Sequence, residues 1–119
     1  MDEKNLTAVA ELLVEGWRLN HFTKNLARFA DEKLKRKIDN QSVRFDKKFL
    51  RATEELGLEV VDFTGEEFET GLPLTPINLA DFAAEENLFV EAMIEPTIKR
   101  KDSAEIVKLG AAVLGRRKA

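Results

Sequence analysis

Leu56-Gly57-Leu58-Glu59-Val60-Val61-Asp62-Phe63-Thr64-Gly65 is the stretch on which the fold turns. Leu56-Gly57 reads as a helix end, with glycine at the left-handed position that closes many helices. Leu58 to Phe63 is a short β-branched run, and Thr64-Gly65 is a turn signal, so a strand follows. Upstream, from Asp2 to Leu56, the only glycine is Gly16 and there is no proline. Downstream lie all three prolines, Pro73, Pro76 and Pro96. The expected fold class is therefore α+β: helices over residues 1–56, then a small β-rich domain over 57–119.

Charge changes at nearly the same place. Residues 18–51 hold eleven bases against four acids. Between Arg51 and Lys99 there is no lysine or arginine, yet twelve carboxylates. Residues 99–119 return to seven bases against two acids. Two modules with different partners are the expected consequence, in a protein that works through its surfaces.

Within the first module, apolar residues recur at helical spacing. Leu6, Val9, Leu13 and Trp17 form one stripe; Leu12, Leu19, Phe22, Leu26 and Phe29 form a second. Two stripes on one helix require two neighbours. Asp39-Asn40-Gln41-Ser42 is a run of residues that favour helix caps. It predicts a break there, with a long helix at about 3–39 and a shorter one at about 42–56. The first would be roughly 55 Å long, more than a domain of this mass can bury. The second stripe, Leu12, Leu19, Phe22, Leu26 and Phe29, is accordingly expected to form the interface of a homodimer built as a helical bundle. The alternative, an intrachain bundle with helix 42–56 alone, offers too little surface to cover two stripes.

In the second module, the prolines at 73 and 76 exclude a regular helix and suggest an extended crossing segment. Leu88 to Ile98 and Ile106 to Leu114 are expected strands, joined as a hairpin by the polar turn Lys99–Ser103. Pro96 belongs at an edge or bulge, because it cannot donate to a ladder.

No residue cluster suggests catalysis, and no enzyme, metal or cofactor is expected. His21 is the single histidine and lies beside the second stripe, where a structural role outweighs a catalytic one. Asp62, Glu66, Glu67 and Glu69 read as a solvated acidic rim, since no calcium-loop spacing surrounds them. None of the glycines belongs to a nucleotide-binding motif. Without cysteine there is no disulfide framework, which fits a reducing, cytoplasmic setting. The first twenty residues lack the pattern of a secretory signal, and no apolar run is long enough to span a membrane. Lys33, Lys35, Arg36, Lys37, Arg44, Lys47, Lys48 and Arg51 form a basic region able to meet phosphates. Its interleaved Phe29, Phe45 and Phe49 fall at core spacing, which favours a solvated or partner-facing helix over nucleic acid. The tail Arg116-Arg117-Lys118 adds only a hint.

The order of long helix, break, shorter helix, glycine and small β-domain resembles the GrpE-type nucleotide exchange factors of DnaK-type chaperones. Leu56-Gly57-Leu58-Glu59-Val60-Val61-Asp62, followed by Gly65-Glu66-Glu67-Phe68, is similar to that family's passage into its β-domain. Leu88–Lys99 and Glu105–Lys118 are similar to its closing hairpin in hydrophobic pattern. The resemblance implies a homodimeric co-chaperone whose β-domain presses on the chaperone's ATPase domain and favours an open cleft, so that ADP leaves. Candidate contacts in the acidic module are Glu66, Glu67, Leu74, Pro76, Ile77 and Asn78, with the alternative that Leu74 and Ile77 cover the sheet. A non-enzymatic adaptor of the same architecture, with other protein partners, remains the second reading.

Overall fold

Two aspartates start the two helices. In the computed structural model, which describes residues 1–117, the Asp2 carboxylate accepts from the Asn5 N–H and opens α1 (Glu3–Leu26). The Asp31 carboxylate does the same for the Leu34 N–H at the head of α2 (Glu32–Leu56). Each cap satisfies an amide that the helix itself leaves without a partner.

Between the helices, a single 3-10 turn at Ala27–Phe29 and extended Ala30 reverse the chain. The break expected at Asp39–Ser42 is therefore misplaced, and those residues lie inside α2. Tertiary bonds explain why. The Ser42 hydroxyl, on a buried residue, donates to Asn20 Oδ1 at 2.7 Å, and Asn20 Nδ2 donates to Asp46 Oδ1 at 2.9 Å. Polar side chains that would otherwise compete with the helix are bonded to its neighbour instead. α1 is thus about 36 Å long, and the two helices form a hairpin.

Gly57 closes α2 in the left-handed conformation, at φ 68° and ψ 27°, as its placement in the sequence predicts. Six strands follow: β1 (Leu58–Val61), β2 (Leu74–Pro76), β3 (Leu88–Glu95), β4 (Thr97–Arg100), β5 (Ile106–Lys108) and β6 (Gly110–Arg116). They form two three-stranded sheets, ordered β1-β4-β5 and β2-β6-β3. All pairings are antiparallel except β2 with β6.

The two strands expected at 88–98 and 106–114 form a hairpin, but one divided between the sheets. Pro96 interrupts one arm and Leu109 the other. Beyond these residues the tip, β4 and β5, joins the first sheet while the base, β3 and β6, belongs to the second. Proline sits where no ladder amide is needed. Thr97 ties the division together: its buried hydroxyl donates to the Pro73 carbonyl at 2.6 Å and accepts from the Gly110 N–H at 3.0 Å.

Replacing Thr97 by valine keeps the shape and strands both backbone groups, so a loss of about 2–4 kcal/mol is expected. Serine keeps the bonds and removes one methyl, with a cost of about 1 kcal/mol. Urea unfolding of the two variants checks this; equal losses would show that the bonds add no net stability.

Two apolar cores result. Leu6, Ala10, Leu13 and Val14 of α1 pack with Leu58 and Ile98, sealing the helices onto the first sheet. Leu74, Leu88, Val90, Met93, Ala112 and Leu114 form the second, with Trp17 and Phe63 against them. The secondary structure changes at Gly57, but the first core runs across that point. The amino-terminal half of α1 is therefore seated on β-structure.

Candidate interaction surfaces

The two stripes of α1 face opposite ways. Leu6 and Leu13 are buried in the first core with Val9 packed beside them, and Trp17 supports the second core. Leu12, Leu19, Phe22 and Leu26 point outward, at 74%, 67%, 61% and 44% exposure, and Phe29 beyond the helix end is 80% exposed. Although α2 is longer than the sequence predicts, it leaves this stripe uncovered. Val43 and Leu50 of α2 are also exposed. Sequence reasoning missed this pair, although their seven-residue separation was a signal.

The acidic-module candidates do not form one patch. Glu66 and Glu67 are exposed on a segment that borders β3, where Val90 N–H donates to the Glu66 carbonyl and Phe68 N–H to the Leu88 carbonyl. Pro76, Ile77 and Asn78 lie at the β2 side, where Ile77 N–H donates to the Ala112 carbonyl. Since the order runs β2-β6-β3, two strands separate the groups, about 14 Å across three strand spacings.

Their individual placements differ as well. Leu74 is buried in the second core and offers no contact surface. Asn78 spans Leu114, donating to its carbonyl at 3.0 Å and accepting from its N–H at 2.9 Å. These bonds occupy the amide in closing the sheet edge. Glu66, Glu67 and Ile77 remain exposed, and Pro76 is half-buried. Leu79, exposed beside the β2 edge, was not anticipated.

The basic region resolves into a face. Lys33, Lys37, Asn40, Arg44, Lys47 and Arg51 are spaced 4-3-4-3-4 along α2, so they line one side, with Arg36 and Lys48 flanking. All are exposed, while Phe45 and Phe49 are half-buried and stacked at 5.2 Å. Of the eight bases predicted here, Lys35 alone has an ion pair among the described residues, with Asp39 at 2.8 Å.

Elsewhere the polar chemistry is structural. His21 stacks on Trp17 at 3.7 Å, with Nε2 3.9 Å from Asp62 Oδ2. Arg116 donates to Glu86 at 2.7 Å and lies over the Phe82 ring. That hydrogen bond, with one from the Ala83 N–H, holds the Glu86 carboxyl below its ordinary value. Arg117 lies over Phe89 and bonds the Gly65 carbonyl; Lys118 lies outside the described residues. Among the described residues no His, Asp or Glu group is arranged to hold a metal ion, and no helix is long and apolar enough to cross a membrane.

The fold and these surfaces define an α+β protein in which a helical hairpin is joined through a shared core to two small sheets. Compared with protein-family models, curated proteins and solved structures, the chain found no match in any of the three.

Proposed function

We propose that this chain is a GrpE-like co-chaperone: a homodimer that binds the ATPase domain of a DnaK-type chaperone and promotes ADP release. The observation that carries this is the outward stripe of α1 and the turn after it, five large apolar residues that the chain's own core leaves uncovered. Contiguous exposed apolar surface marks an association site. The order of helices, glycine cap and small β-domain follows the layout that the family resemblance implies, but the two helices are nearly equal, 24 and 25 residues, where that layout has a long helix before a shorter one. Docking falls to the exposed part of the acidic module, chiefly Glu66, Glu67 and Ile77.

Such a factor needs no catalytic side chain. It binds the chaperone's open conformer more tightly than the closed one and draws the population toward it. The coupling is reciprocal, so bound ADP weakens the factor by the same ratio that the factor weakens ADP. With the cognate chaperone loaded with fluorescent ADP, a saturating amount of this protein should weaken ADP binding at least about fivefold, the low end of usual coupling, and speed its release. Unchanged release would reject the exchange role and leave an adaptor of the same architecture.

A further inference from the structure

The outer face of α2 carries seven cations that no carboxylate pairs with among the described residues. Lys33, Arg36, Lys37, Arg44, Lys47, Lys48 and Arg51 are exposed, and none makes an ion pair among the described residues. Of the acids on α2, Asp39 is engaged by Lys35, and Asp46 by Lys24 at 3.1 Å and by Asn20. Glu32, Glu54 and Glu55 stand at the two ends of the row, exposed and outside any ion pair among the described residues. From Lys33 to Arg51 the row runs about 27 Å along the helix. Holding like charges together this way costs stability that the fold itself does not recover.

We propose that this face binds the phosphodiester backbone of nucleic acid without reading its sequence. Two observations select that occupant. A protein partner would need apolar anchors at the centre of its footprint; the central row of Lys33, Lys37, Asn40, Arg44, Lys47 and Arg51 includes none, and the exposed Leu34, Val43 and Leu50 lie to its sides. A membrane-surface helix must insert a continuous apolar side. The side of α2 that carries Phe45 and Phe49 is turned inward, with Phe49 packed against the first core, and the large apolar residues left exposed, Leu34, Val43 and Leu50, are scattered to either side of the basic row. Phosphates need neither, only a row of mobile cations.

Phe45 and Phe49 are stacked on each other inside the hairpin, so they do not stack on bases, and recognition is confined to the backbone. The chain's net charge of −3 does not forbid this. Most of its carboxylates lie in residues 52–98; Glu54 and Glu55 stand near Arg51 at one end of the row, and salt screens those farther than about 8 Å. The face also lies on a different helix from the α1 stripe, so it does not depend on the chaperone reading.

Fluorescence anisotropy with a short mixed-sequence DNA duplex, and separately a single-stranded RNA of equal length, tests it across salt concentrations. Engagement of about five phosphates gives a log-log slope near −4.5 on duplex, or a roughly 500-fold loss between about 50 and 200 mM salt. The triple variant Lys37→Gln, Arg44→Gln, Lys48→Gln should reduce that slope by about 3 and weaken every sequence alike. The wild-type slope needs no substitution and decides the matter even if the variant misfolds. No binding at about 50 mM salt would overturn the proposal, as would an unchanged slope in a folded variant. Competition by polyglutamate, or by phosphatidylserine vesicles, as effective as that by nucleic acid would also overturn it.

Discussion

Replacing Leu19 and Phe22 together by glutamate should turn the proposed homodimer into a folded monomer. In the single chain these side chains are 67% and 61% exposed, so their loss hardly touches its own core. Substitutions at such positions usually change folding stability by about 0.5 kcal/mol or less. Pairing is another matter. A two-fold interface uses the same stripe twice, so two substitutions remove four large apolar side chains. At roughly 1.5–3 kcal/mol for each side chain fully covered, the dimer loses at least about 4 kcal/mol even after generous discounting. That corresponds to a dissociation constant raised about a thousandfold. Sedimentation equilibrium of the natural chain should return twice 13.5 kDa, and the variant one chain with unchanged helix content. A natural chain that sediments as a monomer at high concentration would remove the homodimer from the proposed function.

Gly110→Ala should be among the most damaging single-atom changes in the molecule. An alanine Cβ built there meets the Glu95 carbonyl oxygen at 2.5 Å, the Pro96 carbonyl carbon at 2.8 Å and the Thr97 nitrogen at 2.8 Å. All three are backbone atoms at the point where the long hairpin divides, so no side chain can swing away. Relief requires parting β3 from β6 or breaking the bonds through Thr97. Overpacking of this kind costs about 3 kcal/mol, against a total stability on the order of 5–15 kcal/mol. The melting temperature should fall by about 10 °C. Gly71→Ala is the control, because nothing lies within 4 Å of a Cβ at that position. Equal melting temperatures for the two variants would mean that the close approach at Gly110 relaxes freely.

Much of this architecture was legible beforehand. The β-branched run after Gly57, the prolines that exclude helix from 73 to 76 and the inward stripe of α1 each rest on local rules that the packing did not oppose. The helix break was not legible, because Asp39, Asn40, Gln41 and Ser42 have the composition of a cap. Asp31, with Glu32 behind it, was the true cap and looked no stronger. What decided between them was Asn20, twenty-two residues from Ser42, which accepts the Ser42 hydroxyl and donates to Asp46.

The candidate contacts divide along the same line. Exposure of the α1 stripe followed from its position opposite Leu6 and Leu13 on the helix, a matter of periodicity alone. The acidic-module group did not hold together. Register and strand order across the sheet are non-local, and they put Glu66 and Glu67 on one side and Ile77 on the other. Leu74 went to the core because the parallel pairing of β2 with β6 faces it inward.

By itself, then, the sequence determined that helices precede strands, that Gly57 ends the helices and that one apolar stripe exceeds what one core can use. These depend on spacing and on backbone chemistry carried by neighbouring residues. The tertiary structure alone decided where the helices fold back, how one hairpin is shared between two sheets and that seven cations along α2 form no ion pair among the described residues. Those outcomes depend on hydrogen bonds and charges between residues far apart in the chain, whose meeting no local pattern records.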